Sequence, residues 1–192
     1  MRKIVLLITV LFLSGTAFGQ NDSAVFTGTV FIYGSGFNTR TVSRPFTLRL
    51  NRETPRDEAT RLIRVLQESG QSELLDQLDE KKVGTFSLGS EVGRDVNAAS
   101  IDEVGGRTRV RAVFARWINF GEVRGGYRSV DYPFSYIEIF VDPRTGKGEG
   151  TFIAAAQIRF KERDGQSQIE IEDFGTFPGR LMGVQMRGRI AE

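Results

Sequence analysis

Strands dominate the pattern of apolar and polar residues, which alternate with a period of two along much of the chain. Val25 to Tyr33 and Thr41 to Leu50 are the clearest examples in the first half, because each places most of its large apolar side chains on one side. Residues 83–88, 108–120 and 181–187 predict further strands. Alternation of this kind is typical of half-buried strands, so the sequence predicts a sheet with one face against a core.

Helical periodicity occurs in one stretch, from about residue 55 to residue 80. Thr54 and Pro55 have the chemistry of a helix N-cap and first helical position, and Gly70 has that of a C-terminal cap. Apolar residues recur at helical spacing on both sides of Gly70: Ala59, Leu62, Ile63 and Leu66 before it, and Leu74, Leu75 and Leu78 after it. We therefore predict a helical hairpin that is inserted between strands and packed on the sheet.

Two turn motifs in the second half fix the register of three consecutive strands. Asp164-Gly165 is typical of a two-residue type I′ hairpin, and residues 142–147 are typical of a type I turn that ends in a left-handed glycine. Each turn sets which residues lie opposite each other. The predicted cross-strand pairs are Phe160 with Ile169, Ile158 with Ile171, and Ile137 with Phe152.

These registers place nearly all the large aliphatic residues of the three strands on one face. Ile153 alone falls on the other face. A slip of one residue would scatter the set, which makes the agreement a stringent test. The predicted single face runs through Ile137, Ile139, Val141, Phe152, Ala154, Ala156, Ile158, Phe160, Ile169 and Ile171.

The predicted fold class is α+β, with about seven or eight mainly antiparallel strands and the helical hairpin packed against them. The middle strand of the meander, about residues 150–161, is long, since ordinary strands have about 5 to 6 residues. A long strand favours a strongly curved sheet or a partly open barrel. Residues 20–192 suit one β-rich domain.

The N-terminus has the three-part pattern of a secretory signal peptide over residues 1–19. Arg2 and Lys3 precede an apolar run, Ile4 to Leu13, which is too short to span a membrane and leads into small residues. We predict cleavage before Gln20, an exported protein in the periplasm or the medium, and no transmembrane segment after cleavage. Cleavage takes the 26 basic residues to 24, equal to the 24 acidic residues, so a neutral domain is not expected to bind nucleic acid.

The chain contains no histidine and no cysteine. Serine–histidine and cysteine–histidine catalysis are therefore excluded, as are disulfides and ordinary zinc sites. No nucleotide-binding or metal-binding motif is present in the sequence, so we predict no metal and no cofactor. A protein that is not an enzyme is the interpretation that we favour.

An aromatic cluster around the Gly-rich segment 121–133 is the candidate ligand-binding site. Its members are Trp117, Tyr127, Tyr132, Phe134 and Tyr136. Such rings combine apolar area with a polar tip and suit a small molecule or a protein partner. Closure of one end of a barrel would explain them equally well.

A row of arginines on one strand face offers a second candidate site. Arg107, Arg109 and Arg111 alternate along the predicted strand, with Trp117 further along on the same side. Basic grooves with aromatic platforms bind single-stranded nucleic acid. We favour a solvated outer face balanced by acids such as Glu170, because polyanion binding normally needs a net basic surface.

The two functional hypotheses belong to different classes. The first is an exported binding or interaction domain for an unknown small molecule or protein. The alternative is a carboxylate-dependent hydrolase that uses Glu138 and Glu149, which fall diagonally across one hairpin. Acidic pairs on solvent faces are common, so the first hypothesis is preferred, while ligand and oligomeric state stay open.

Overall fold

The computed structural model describes residues 23–33, 41–116, 128–163, 166–174 and 177–188. The predicted leader, Trp117 and Tyr127 lie outside these residues. In the described part, the chain forms ten strands, one α-helix and a short 3-10 helix.

Most strands lie where the alternating pattern predicts them, and the helix falls where its apolar stripe predicts it, but the strands at 94–96 and 98–104 lie in a polar stretch for which the pattern predicts no strand. In chain order, the elements are β1 (Ala24–Ile32), β2 (Val42–Leu50), α1 (Arg56–Asp79), β3 (Gly84–Leu88), β4 (Arg94–Val96), β5 (Ala98–Val104), β6 (Arg107–Ala115), the 3-10 helix (Arg128–Asp131), β7 (Phe134–Val141), β8 (Lys147–Arg163), β9 (Gln166–Asp173) and β10 (Gly179–Arg187).

The strands form one antiparallel sheet that curls into a nearly closed barrel, which confirms the predicted fold class. Nine strands follow the order β4-β3-β2-β1-β10-β8-β7-β6-β5, and β9 pairs with β8 off this path. The two end strands of the path, β4 and β5, are consecutive in sequence and joined by Asn97 alone.

Asn97 holds the seam at which the barrel closes. Its side chain is buried, its amide nitrogen Nδ2 donates to the carbonyl oxygen of Lys81 at 2.8 Å, and its Oδ1 accepts from the backbone N–H of Ala115 at 2.8 Å. Its own backbone N–H donates to the carbonyl oxygen of Val113 at 3.1 Å. The side-chain amide therefore acts as an extra rung of the ladder where the regular pairing of β4 stops.

Side chains fill the interior of the barrel. The ring of Phe86 lies 5.4 Å from those of Phe114 and Phe152 and 6.2 Å from that of Phe46, measured between centroids. Aliphatic residues from the surrounding strands, such as Leu48, complete this core and are fully buried. We call these aromatic and aliphatic residues the interior core. A space of about 240 Å³ lies at one end of it, beside Phe114 and Phe152.

The predicted hairpin registers are confirmed, but the predicted single apolar face is wrong. Ile137 pairs with Phe152 and Ile158 with Ile171, as the turns require. Ile137 and Phe152, however, point into the barrel, whereas Ile158 and Ile171 pack on its outside. Phe160 and Ile169 share the outer face with Ile158, since they are the next pair along the same ladder.

A β-bulge in β8 is the reason for this change of face. Phe134 pairs with Ala156 and Tyr136 with Ile153, so one residue of β7 lies opposite both Ala154 and Ala155. One extra residue reverses the sense in which side chains alternate beyond it. The first half of β8 therefore faces inward through Phe152, and its second half forms an outer two-stranded ribbon with β9. We call this pair, residues 156–173, the outer ribbon.

Helix α1 is interrupted at Gly70 as the sequence predicts, but its N-terminus differs from the prediction. Gly70 has φ 82° and ψ −172°, which only glycine adopts readily. Thr54 does not cap the helix: its hydroxyl accepts from the backbone N–H of Ala99 at 3.0 Å. Glu53 Oε2 likewise accepts from the N–H of Ile101 at 3.1 Å. These two side chains accept hydrogen bonds from backbone N–H groups on the unpaired edge of β5. The hydroxyl of Thr54 therefore bonds to β5 and does not cap the helix.

The helix covers the outer face of the barrel at the level of the bulge. Its buried leucines, the start of β7 and the outer ribbon make a second apolar cluster, which we call the outer core. Its buried members are Leu62, Leu66, Leu74, Leu78, Phe134, Ile153, Ala156 and Ile158.

Candidate functional site

The outer core is incomplete, and the space it leaves is the main candidate site. A groove of about 450 Å³ runs between α1 and the outer face of the sheet. The helix wall consists of Ala59, Leu62, Ile63, Leu66, Leu74 and Leu78. The sheet wall includes Ala98, Ser100, Arg111, Val113 and Tyr136. The third wall is the outer ribbon, with Ile158, Ile169 and Ile171. Aliphatic carbon thus lines most of the groove.

Two large apolar side chains on opposite walls stay partly in solvent. Ile63 on the helix is 43% exposed and Ile169 on the outer ribbon is 45% exposed. Both belong to patterns that predict burial: Ile63 lies on the apolar stripe of the helix, and Ile169 is paired with Phe160. Their exposure therefore results from the gap between the two walls, which neither wall closes. An apolar occupant of the groove would cover both.

The sheet wall changes from apolar to charged along the strands. Val113 lies under the helix, and Arg111, two residues along β6, marks the edge of the apolar region. Arg111 is paired across the ladder with Ser100 on one side and Glu138 on the other. The groove consequently has an apolar floor and one polar edge.

Asp102 organises the arginines at this edge. Arg109 donates two hydrogen bonds to it, from Nε at 2.8 Å and from Nη2 at 2.6 Å, whereas Arg111 donates one from Nη2 at 3.0 Å. The hydrogen bond from Arg109 is the main reason why the pKa of Asp102 lies below its ordinary value. Nε of Arg111 is buried and has no hydrogen-bond partner. Two arginines thus share one carboxylate, and Arg111 makes fewer hydrogen bonds to it than Arg109 does.

Tyr136 supplies the other polar group of the groove wall. It is half-buried, and its hydroxyl donates to Glu138 Oε1 at 3.4 Å. Burial raises the pKa of Tyr136 above its ordinary value, and the neighbouring Glu138 carboxylate raises it further. The hydroxyl is therefore protonated at neutral pH and serves as a hydrogen-bond donor.

The structure separates the members of the predicted aromatic cluster that it describes. Phe134 is fully buried in the outer core, and Tyr136 lines the groove. Tyr132 is buried, packs edge-on against Phe174 at 5.1 Å and donates from its hydroxyl to Glu172 Oε1 at 2.9 Å. That bond is the main reason why the pKa of Glu172 lies below its ordinary value. Trp117 and Tyr127, outside the described residues, stay predictions.

The arginine row lies on the outer face of β6, and its acids differ from those expected. Arg109 and Arg111 contact Asp102, and Arg107 lies 3.8 Å from Glu149 while its guanidinium stacks 5.0 Å from the ring of Phe140. Glu170 and Glu172 instead pair with Lys161 and Arg159. The row is thus partly neutralised.

The Glu138–Glu149 pair is placed as the register predicted. Glu149 lies opposite Phe140 and Glu138 opposite Thr151, so the two glutamates are diagonal neighbours on the outer face. The side chain of Glu149 is 69% exposed and ion-paired with Arg107. An exposed, ion-paired carboxylate has none of the apolar surroundings that prepare a catalytic acid.

Sequence reasoning identified Arg111 and Tyr136 as candidates but missed that they line one groove with Ile63 and Ile169. A signal for this arrangement was present. Ile153 was the one large aliphatic residue off the predicted face, and the structure places it in the outer core. A face violation beside three consecutive alanines indicates a bulge.

Comparison of the chain with protein-family models, with curated proteins and with solved structures finds no match. Among the residues described, no three acidic side chains are grouped closely enough to hold a metal ion. Within the same residues, no helix has the length and apolar character required to cross a membrane.

Proposed function

We propose that the protein is an exported, non-enzymatic binding domain whose ligand is an elongated apolar molecule held in the groove between α1 and the barrel. The observation that carries this proposal is the groove itself, about 450 Å³ in volume and lined mainly by aliphatic side chains. Small-ligand pockets have volumes of about 300 to 1,000 Å³ and are predominantly apolar with a few polar groups. The groove fits that description.

The partly exposed isoleucines supply a driving force for binding. Burying apolar surface is favourable by roughly 25 cal/mol per Å². Ile63 and Ile169 already pay the cost of exposure in the free protein, and a ligand between the walls would remove both from water. A ligand with one long apolar body suits a site with walls on three sides.

The filled interior supports a site outside the barrel. A ring of about eight strands has an interior that side chains just fill. Here the phenylalanines around Phe86 occupy most of that space, whereas the groove of about 450 Å³ lies outside it, under α1. Export rests on the leader of residues 1–19, in which a positive start, an apolar run and small residues follow one another. The hydrolase alternative has no comparable support, because Glu149 is exposed and ion-paired.

Fluorescence titration with the neutral apolar dye N-phenyl-1-naphthylamine tests the proposal. We expect the protein to bind the dye and Ala59→Phe to weaken binding about ten-fold, because the added ring fills the groove. Gln67→Phe is the matched control, since it adds the same ring on an exposed position of the same helix, and it should change the affinity less than about two-fold. A folded protein that does not bind the dye, or a folded Ala59→Phe variant that binds it as well as the wild type, would refute the proposal.

A further inference from the structure

We infer that the ligand of the groove is a single-chain amphiphile with one carboxylate, which binds Arg111 while its chain lies along the apolar floor. The inference rests on the proposed function and adds the chemistry of the ligand's polar end. Its basis is the juxtaposition of an aliphatic groove with one incompletely paired guanidinium at its edge.

Arg111 is the only cationic side chain among the groove residues that the structure describes. Its buried Nε has no acceptor, although arginine N–H groups are strong donors. A guanidinium presents its N–H groups in a planar fork that matches a carboxylate. The Arg111 side chain is 39% exposed although its Nε is buried, so a carboxylate reaches the fork once the side chain turns from Asp102 toward the groove.

The network around Asp102 allows Arg111 to change partner at low cost. Arg109 holds Asp102 with two hydrogen bonds, at 2.6 and 2.8 Å, and would keep it paired if Arg111 turned toward a ligand. Arg111 would give up one hydrogen bond of 3.0 Å. Binding of an anion thus leaves no buried charge without a partner.

The size and charge of the site limit the ligand further. About 450 Å³ lies in the lower half of the range for small-ligand pockets, which suits one alkyl chain rather than two. Because Arg109 holds Asp102 with two hydrogen bonds, Arg111 is the one guanidinium that is left to face a ligand, which suits a single negative charge. Tyr136 lines the same wall, and its one O–H already donates to Glu138, which leaves Arg111 as the donor for the head group.

Displacement of the bound dye by laurate and by 1-dodecanol separates the head group from the chain, since the two share an alkyl chain length. We expect Arg111→Gln to weaken laurate binding about ten-fold and to change dodecanol binding less than about two-fold. Arg107→Gln is the matched control: it removes an arginine of the same strand that does not line the groove, and it should affect neither ligand.

A second variant tests the inference without altering Arg111. Glu138 lies directly opposite Arg111 in the ladder, so Glu138→Gln should strengthen laurate binding about two- to three-fold at low ionic strength and leave dodecanol unchanged. Equal effects of Arg111→Gln on both ligands, or no effect on either, would overturn the inference and leave the apolar groove intact as a site. A wild-type protein that binds neither dye nor laurate would overturn the proposed function as well.

Discussion

The interior core and the outer core are built on opposite faces of the same sheet, yet they are filled to different extents. Inside, residues from every side of the barrel meet around the aromatic side chains, and a space of about 240 Å³ is left at one end. Outside, α1 and the outer ribbon approach the sheet from two directions and leave about 450 Å³ between them. A closed ring forces complementary filling, whereas separate elements packed on its outside do not. The incomplete core is therefore where binding is to be sought.

Matched leucine substitutions give the strongest test of this comparison. Leu48 is fully buried in the interior core, and Leu66 is buried in the outer core but borders the groove. We expect Leu48→Ala to lower the free energy of unfolding by about 4 kcal/mol and Leu66→Ala by about 2 to 3 kcal/mol. The difference arises because the smaller side chain at 66 enlarges an existing space and does not create a sealed cavity.

Chemical denaturation of both variants measures the two values. Equal losses, or a larger loss for Leu66→Ala, would mean that the two cores are packed to the same degree and that the groove closes in solution.

The registers of the hairpins could be predicted because turn chemistry is local. The turns at 142–147 and 164–165 determine their cross-strand pairs without knowledge of the rest of the fold. Gly70 was predictable for the same reason, since a helix stripe stops and resumes around it. Curvature and the antiparallel class followed from the alternation of apolar residues.

Ile153 signals that a bulge is present, but neither the position of the bulge nor the groove could be predicted from the same patterns. Ala154, Ala155 and Ala156 have identical side chains, so no polarity difference marks which of them is the extra residue. The role of Thr54 depended on the position of Ala99, 45 residues away, whose N–H had no other partner at the seam. Likewise, Arg111, Ile63 and Ile169 come to line one groove only because the bulge turns the outer ribbon to the outside of the barrel.

Substitution of Asn97 tests how strongly the interior core depends on the seam at which the barrel closes. Asn97→Ala would remove one donor and one acceptor and leave the partly buried Lys81 carbonyl and Ala115 N–H without these partners. We expect a loss of about 2 to 3 kcal/mol in the free energy of unfolding. Ser135→Ala is the control, because the buried Ser135 hydroxyl makes one hydrogen bond, to the Ala154 carbonyl at 2.9 Å, and its loss should cost about 1 kcal/mol.

Thermal or denaturant unfolding of the two variants decides the point. If Asn97→Ala were no more destabilised than Ser135→Ala, the seam would not depend on the side-chain amide, and closure would rest on backbone pairing alone.

Asp102 provides the smallest and most specific test, at the polar edge of the groove. Its pKa is lowered in the folded protein, so its carboxylate stabilises the fold above its unfolded pKa of about 3.9, and this contribution is lost as the pH falls through the folded pKa. The side chain is 36% exposed, which limits the effect. We expect Asp102→Asn to cost less than about 1 kcal/mol at pH 7, and this difference to shrink as the pH falls below the unfolded pKa of about 3.9.

Unfolding free energies of the wild type and Asp102→Asn across that pH range provide the measurement. A difference that persists unchanged at low pH would show that the variant acts through packing, and the assigned role of the ion pair would be wrong.

Closure of the ring has a consequence for self-association. Unpaired strand edges are templates on which other chains add and aggregate. Because β4 runs into β5, and Glu53 and Thr54 occupy backbone N–H groups of β5, the barrel offers little edge of this kind. Among the described strands, β9 keeps one side unpaired, and its Glu170 and Glu172 are ion-paired with Lys161 and Arg159 of β8. The strand that helps to form the groove is thus also an edge that stays open to strand addition.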